Sequence, residues 1–271
     1  MIQITIDGIP CTCKKGEKLL AVARRNNIFI PTLCHHDGLP GMGSCRLCVV
    51  EVTESGRTKV VVSCLYPVRG EIEVVTNSER ILAHRKMILA LLRKRAPKSD
   101  VIAHMCEAFG APDLPVASFD GGKCILCGLC VRACDLIGAG SVATRTLLKK
   151  LAGQGCAYPV AGAGVIAMVN RGTTKSVSTP YDEPSEICIG CGGCANVCPT
   201  GEITVTETDD GRTIWGKEFK FAFCKECGEL LGTDKEVRYA AQRGGRDPDF
   251  LCPACRQKRS ADAMADAFGR R

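Results

Sequence analysis

Two stretches of this chain repeat one arrangement of thiols. Cys124, Cys127, Cys130 and Cys134 follow the spacing C-x2-C-x2-C-x3-C, and Cys188, Cys191, Cys194 and Cys198 follow it again, the second run ending in Pro199. This is the ligand spacing of paired [4Fe–4S] clusters. Three closely spaced thiolates can hold three irons of a cubane. The fourth lies a helical turn further on and serves the other cluster. The spacing therefore predicts one [4Fe–4S] cluster, a, on Cys124, Cys127, Cys130 and Cys198. A second, b, falls on Cys188, Cys191, Cys194 and Cys134. A pair of structural zinc knots is the bland alternative, but zinc spacings seldom place three cysteines at x2 intervals.

Eight more cysteines form two further quartets. Cys34, Cys45, Cys48 and Cys64 are spaced C-x10-C-x2-C-x15-C. Gly38, Gly41 and Gly43 lie between the first two and let that loop fold tightly round a small cluster. Cys224, Cys227, Cys252 and Cys255 read C-x2-C-x24-C-x2-C, with Gly228 and Pro253 beside them. Two such knuckles suit a tetrahedral zinc site, with a further iron–sulfur cluster as the alternative. Cys11, Cys13, Cys106 and Cys156 receive no role.

The elements that must carry these ligands are partly visible. Ile2, Ile4 and Ile6 alternate as a strand, Asp7-Gly8 is a hairpin signal, and residues 9–13 form the return strand. A helix over 18–26 presents Leu19, Leu20, Val22 and Ala23 to a core. Residues 49–52, 60–63 and 72–76 read as strands, whereas 212–223 alternates only weakly. A strand–strand–helix start, a glycine-rich cysteine loop and a distant fourth cysteine suggest a β-grasp [2Fe–2S] ferredoxin. Its first gap is longer than the plant-type C-x4-C.

That departure carries a resemblance. Residues 30–36 (IPTLCHH), 43–52 (GSCRLCVVEV) and Ser63-Cys64 resemble the N-terminal domain of the large iron–sulfur subunit of complex I. They equally resemble the matching subunit of NAD-linked hydrogenases and formate dehydrogenases. Residues 85–92 look like the family's helix after the [2Fe–2S] domain. Residues 166–172 and the second cysteine run look like its ferredoxin domain, so the resemblance covers about residues 1–210. It implies a [2Fe–2S] cluster on Cys34, Cys45, Cys48 and Cys64, a flavin-containing subunit that exchanges electrons with NAD(P)H, and a second catalytic redox subunit. Three features depart from the family. Between residues 84 and 118 only His84, His104 and Cys106 remain of an H-x3-C-x2-C-x5-C cluster site, so that cluster is expected to be absent. Asp135 stands where bacterial ferredoxins carry proline. Residues 139–163 look like an insertion.

Composition narrows the remaining choices. The chain has 271 residues, 20 cysteines and only 5% aromatic residues, which suits small metal-held modules better than one large core. Cysteines in C-x2-C patterns point to a reducing compartment. The start lacks a basic region followed by an apolar run, and no stretch of about 18 apolar residues occurs, so a cytoplasmic protein without a membrane span is expected. The formal charge of +7 does not argue for nucleic acid. Four thiolate-metal sites at about −2 each bring the loaded protein near −1. Trp215, Phe219, Phe221 and Phe223, near Lys217 and Lys220, are the candidates for base stacking, and a strand explains their spacing better. Gly138-Ala-Gly140 and Gly162-Ala-Gly164 each begin a G-x-G-x-x-A pattern outside any strand–helix unit, so flexible glycine loops are expected rather than a dinucleotide site.

The expected architecture is α+β and multidomain. A [2Fe–2S] β-grasp ferredoxin domain occupies 1–78 and a helical linker 79–118. A two-[4Fe–4S] ferredoxin domain with its insertion occupies 119–210, and a zinc-ribbon-like module 211–271. The expected function is an electron-transfer subunit of an NAD(P)H-linked oxidoreductase complex such as a hydrogenase or formate dehydrogenase, with electron bifurcation open. A self-sufficient iron-only hydrogenase would need a catalytic domain for which the chain has no room. A cluster-containing redox regulator or a stand-alone polyferredoxin is the alternative.

Overall fold

The structure is a computed structural model that describes residues 1–119, 121–137 and 164–269. Strand β1 (Ile2–Ile6) turns at Asp7 and Gly8, both with positive φ, into β2 (Ile9–Cys13). Helix α1 (Leu19–Arg25) follows; it buries Leu19, Leu20, Val22 and Ala23 and ends in Arg24 and Arg25, which complement its dipole. Strands β3 (Val49–Glu54), β4 (Arg57–Val62) and β5 (Glu73–Val75) complete a five-stranded sheet of order β2-β1-β5-β3-β4. β1 and β5 run parallel, and the other pairs are antiparallel. Ile4, Ile6, Val50, Val52 and Val74 meet the buried face of α1 in one core. Fully burying each such side chain contributes about 1.5–3 kcal/mol.

Two helices lead away from this sheet. Ser78 caps α2 (Glu79–Arg95) by accepting from the Ile81 amide. Ser99 caps α3 (Asp100–Phe109) in the same way, and Gly110 ends it in the left-handed region at φ 62°. Leu89 of α2 and Ile102 of α3 pack with Cys34, Cys45, Cys127 and Leu129, so the linker glues the first sheet to the next cysteine run. His84 and His104 are exposed, and the Cys106 thiol donates to the Leu89 carbonyl at 3.4 Å.

Helix α4 (Leu129–Ile137) and the short α5 (Gly193–Asn196) each begin within a cysteine run and pack together. Strands β6 (Ala167–Val169) and β7 (Ser176–Ser178) form a small hairpin between those runs. The change in composition at residue 211 does not interrupt the backbone pairing. β8 (Val205–Glu207), β9 (Gly211–Ile214), β10 (Lys217–Phe223) and β11 (Leu230–Thr233) form one antiparallel sheet across it. Thr233 and Glu236 cap α6 (Asp234–Arg243) reciprocally. The final helix α7 (Pro253–Phe268) starts at Cys252 and buries no residue. Among the described residues no helix is long and apolar enough to cross a membrane. The insertion, Cys156 and the pattern starting at Gly138 lie outside the described residues, as do the first two positions of the one starting at Gly162.

Candidate electron-transfer sites

The loop of residues 34–48 and the turn after β4 bring Cys34, Cys45, Cys48 and Cys64 together, all buried. They meet as two pairs. Hydrogen bonding from Cys45 pulls the Cys34 thiol down to about 5, and the same contact pushes Cys45 up. Cys64 does this for Cys48, which falls to about 6, while Cys64 rises. The Cys45 amide donates to Cys34 Sγ at 3.4 Å. The loop needs glycine at position 43, where φ is +68° and a Cβ would come within 2.7 Å of Leu65. Arg85 holds this loop from α2 and is itself fully buried. Its guanidinium donates to the carbonyls of Leu47 and Val49, on either side of Cys48, and to Asn77 Oδ1 at 2.7 Å.

The two repeated runs interleave. Cys124, Cys127, Cys130 and Cys198 line one cavity of about 270 Å3. Cys134, Cys188, Cys191 and Cys194 line a second, tighter one. Each group thus takes three thiols from one run and the fourth from the other. Burial pushes the Cys127 thiol up to about 11, Cys130 to about 12 and Cys194 to about 11. Thiolates at these positions need a cationic partner, which metal binding supplies. Backbone amides already point at the sulfurs: Leu126 at Cys124 (3.4 Å) and Val165 at Cys134 (3.1 Å). Asp135, the residue in place of proline, accepts from the Gly164 amide at 2.9 Å and so fixes the chain beside Cys134.

The first two sites are joined by one side chain. Arg132 of α4 donates to the Cys34 carbonyl at 2.9 Å, to those of Gly128 and Cys127, and to the Pro40 carbonyl. One guanidinium therefore ties a ligand of the first quartet to a ligand of the second.

A test of fit comes from polar atoms without partners. Among the described residues, three buried side-chain nitrogens make no hydrogen bond: His35 Nδ1, Arg95 Nε and Trp215 Nε1. His35 follows Cys34 in sequence, and Arg95 and Trp215 both line the Cys124 cavity. An unsatisfied buried donor costs about 1–3 kcal/mol. Arg95 Nε and Trp215 Nε1 are donors, and donors orphaned at these sites fit clusters, whose sulfides and thiolates are acceptors.

The last quartet differs. Cys224 and Cys227 follow β10, and Cys252 and Cys255 open α7. Their four sulfurs all lie within 4.8 Å of one another, with Cys227 and Cys252 at 3.7 Å. The Cys252 amide donates to Cys224 Sγ at 3.4 Å and brings that thiol down to about 6.

Arg85, Arg95 and Arg132 escape sequence reasoning because isolated arginines carry no spacing signal. Of the aromatic candidates, Trp215 lies in the turn before β10 and the three phenylalanines lie in β10, where Phe219 is buried against Gly190 and Phe223 is exposed. Gly190 has φ +74° and a Cβ there would sit 2.6 Å from the Phe219 ring.

The first 79 residues match a known family, the 2Fe-2S iron-sulfur cluster binding domain. Residues 1–79 are therefore similar to such domains. The longer similarity is to components of oxidoreductases. The chain is 31% identical over 242 residues to NADP-reducing hydrogenase subunit HndD of Solidesulfovibrio fructosivorans, covering 76% of this chain and 36% of that protein. It is 27% identical over 245 residues to NADPH-Fe(3+) oxidoreductase subunit alpha of Geobacter sulfurreducens, covering 82% of this chain and 25% of that one. It is 27% identical over 233 residues to the NADH-ubiquinone oxidoreductase 75 kDa subunit of Reclinomonas americana, covering 75% and 29%. The chain therefore spans between a quarter and just over a third of the length of these relatives. It resembles the iron–sulfur subunits of NAD(P)-linked hydrogenases and of complex I.

Proposed function

We propose that this chain is an electron-transfer subunit that passes single electrons between a flavin-containing, NAD(P)H-oxidising subunit and a second catalytic redox subunit. The observation that carries this reading is the interleaving of two four-thiol groups beside a [2Fe–2S] domain, with Arg132 tying Cys34 of that domain to Cys127. Cys34, Cys45, Cys48 and Cys64 hold one [2Fe–2S] cluster. Cys124, Cys127, Cys130 and Cys198 hold cubane a, and Cys188, Cys191, Cys194 and Cys134 hold cubane b, in two-cluster ferredoxin fashion. Fully thiolate-ligated clusters supply one-electron chemistry, with potentials set by hydrogen bonds, charge and burial. The protein's part is to fix distance and exclude water. Arg132 holds Cys34 and Cys127 in register, Arg85 adds a buried positive charge behind Cys48, and the linker core seals the junction. Residues 1–78 form a β-grasp domain, in keeping with their mixed sheet and packed helix.

The carboxy-terminal quartet holds one zinc ion. With Zn–S near 2.3 Å, a tetrahedron has edges of about 3.8 Å, close to the 3.7 Å between Cys227 and Cys252. A cubane, with iron and sulfide between its ligands, needs wider spacing. Zinc has no redox chemistry, so this module is structural and lies outside the electron path. The C-x2-C patterns suit the reducing cytoplasm.

The test is to tag this chain, isolate its native complex anaerobically and add NADH or NADPH. A flavoprotein in the complex and bleaching of cluster absorbance by one of the nucleotides are expected. A chain recovered without a flavoprotein partner, whose clusters neither nucleotide reduces, would overturn the reading.

A further inference from the structure

Trp215 is the chain's one tryptophan, and its position is unusual. It belongs neither to a cysteine run nor to the segments between them. It sits with Gly216 in the two-residue turn joining β9 to β10, where Ile214 pairs with Lys217. Both turn residues have positive φ, 52° for Trp215 and 68° for Gly216. Turns of this kind favour Asn, Asp or Gly, and a bulky side chain there is strained. Such strain persists only where the surroundings impose it.

The surroundings here are the two thiol groups. Trp215 lines the cavity of Cys124, Cys127, Cys130 and Cys198, and also the cavity of Cys134, Cys188, Cys191 and Cys194. It packs in the same core as Cys130, Cys134, Cys188 and Cys194. Its indole nitrogen is buried without a full hydrogen bond, and it approaches the Cys194 thiol. The ring therefore stands between the two groups, and its N–H is directed toward one of them.

We infer that Trp215 is a positioning residue for electron transfer: it separates the two cubanes and donates its indole N–H to the sulfur shell of cubane b at Cys194. This rests on the assignment of the two clusters above. A donor to sulfur favours the more negative, reduced state, and so raises the potential of the cluster it serves. The sheet that carries the carboxy-terminal metal site thereby supplies a residue to the redox centre.

The experiment uses the full chain with its clusters, grown with 15N-indole tryptophan. Because there is one tryptophan, any indole nitrogen signal is unambiguous. Pulsed EPR of the reduced protein should show 15N hyperfine coupling on one cubane signal, and Cys134→Ser should remove that signal. Trp215→Phe keeps an aromatic ring and loses the donor. At fixed potential its reduced-to-oxidised ratio for cubane b should fall about tenfold, equal to about 59 mV for a one-electron centre, with the [2Fe–2S] potential unmoved. Two cubane signals without 15N coupling would overturn the inference while leaving the cluster assignment intact. Absence of cubane signals altogether would overturn the assignment itself. If Trp215→Phe fails to fold, the hyperfine result on the unmodified chain still decides.

Discussion

The interleaved quartets at 124–198 and the quartet at 224–255 are built from the same side chain, cysteine, and differ in what surrounds it. In the first region the thiols line two cavities, all but Cys198 are pushed up by burial, and two buried donors without partners, Arg95 and Trp215, face them. In the second the sulfurs crowd within 4.8 Å, Cys227 is exposed, and no orphaned donor is among the described neighbours. Room, burial and spare donors suit a centre that must change charge by one electron. Closeness suits a single ion that only has to hold two knuckles together. Four cysteines by themselves do not distinguish the two; what surrounds the sulfur does.

The sharpest way to break this contrast is at the second region. Helix α7 buries no residue, so beyond the Arg256–Asp249 pair its attachment rests on Cys252 and Cys255. Structural zinc sites contribute about 10–16 kcal/mol to folding in small peptides. Cys252→Ser should lose one zinc per chain and make residues 244–268 sensitive to limited proteolysis, while the cluster EPR signals persist. Loss of iron in proportion to zinc would show that the region is a redox centre after all.

A second substitution tests the crossing of ligands in the first region. Cys198→Ser should damage cubane a, whose other ligands are 68 to 74 positions earlier, and spare cubane b, three of whose four ligands are its sequence neighbours. The measurement is the integrated EPR intensity of each cubane after reduction. Damage to b alone would contradict the interleaving.

A smaller effect is expected beside the second region. Arg256 pairs with Asp249 at 2.8 Å and holds its carboxyl well below the usual range. A lowered carboxylate pKa stabilises the fold above the ordinary aspartate value of about 3.9 and is lost as pH falls through the lowered one. Both groups are about one-third exposed, so Asp249→Asn should cost about 0.2–1 kcal/mol near neutrality. The difference from the unmodified protein, measured by urea unfolding, should shrink as the solution is acidified. Taking the difference cancels the acid sensitivity of the metal thiolates.

Local signals were well legible in the sequence, long-range ones were not. The Asp7-Gly8 hairpin and the buried face of α1 rest on turn chemistry and periodicity, and both stand in the structure. The C-x2-C runs are legible because spacing within a run is itself local. The parallel pairing of β1 with β5 is not, since it joins residues 5 and 73 and leaves no pattern in either strand. The sheet from β8 to β11 runs across residue 211, where composition changes, because composition there records metal ligands rather than strand pairing. Arg85, Arg95 and Arg132 gain their meaning only when folding brings them to carbonyls and sulfurs far away in sequence.

The most direct test of the central claim is metal and sulfide analysis of the full chain isolated without oxygen, joined to EPR-monitored redox titration. One [2Fe–2S] and two [4Fe–4S] clusters predict about ten irons, about ten acid-labile sulfides and one zinc per chain, with three separately titrating one-electron signals. Zinc in place of iron at the interleaved quartets, with one redox signal or none, would contradict it.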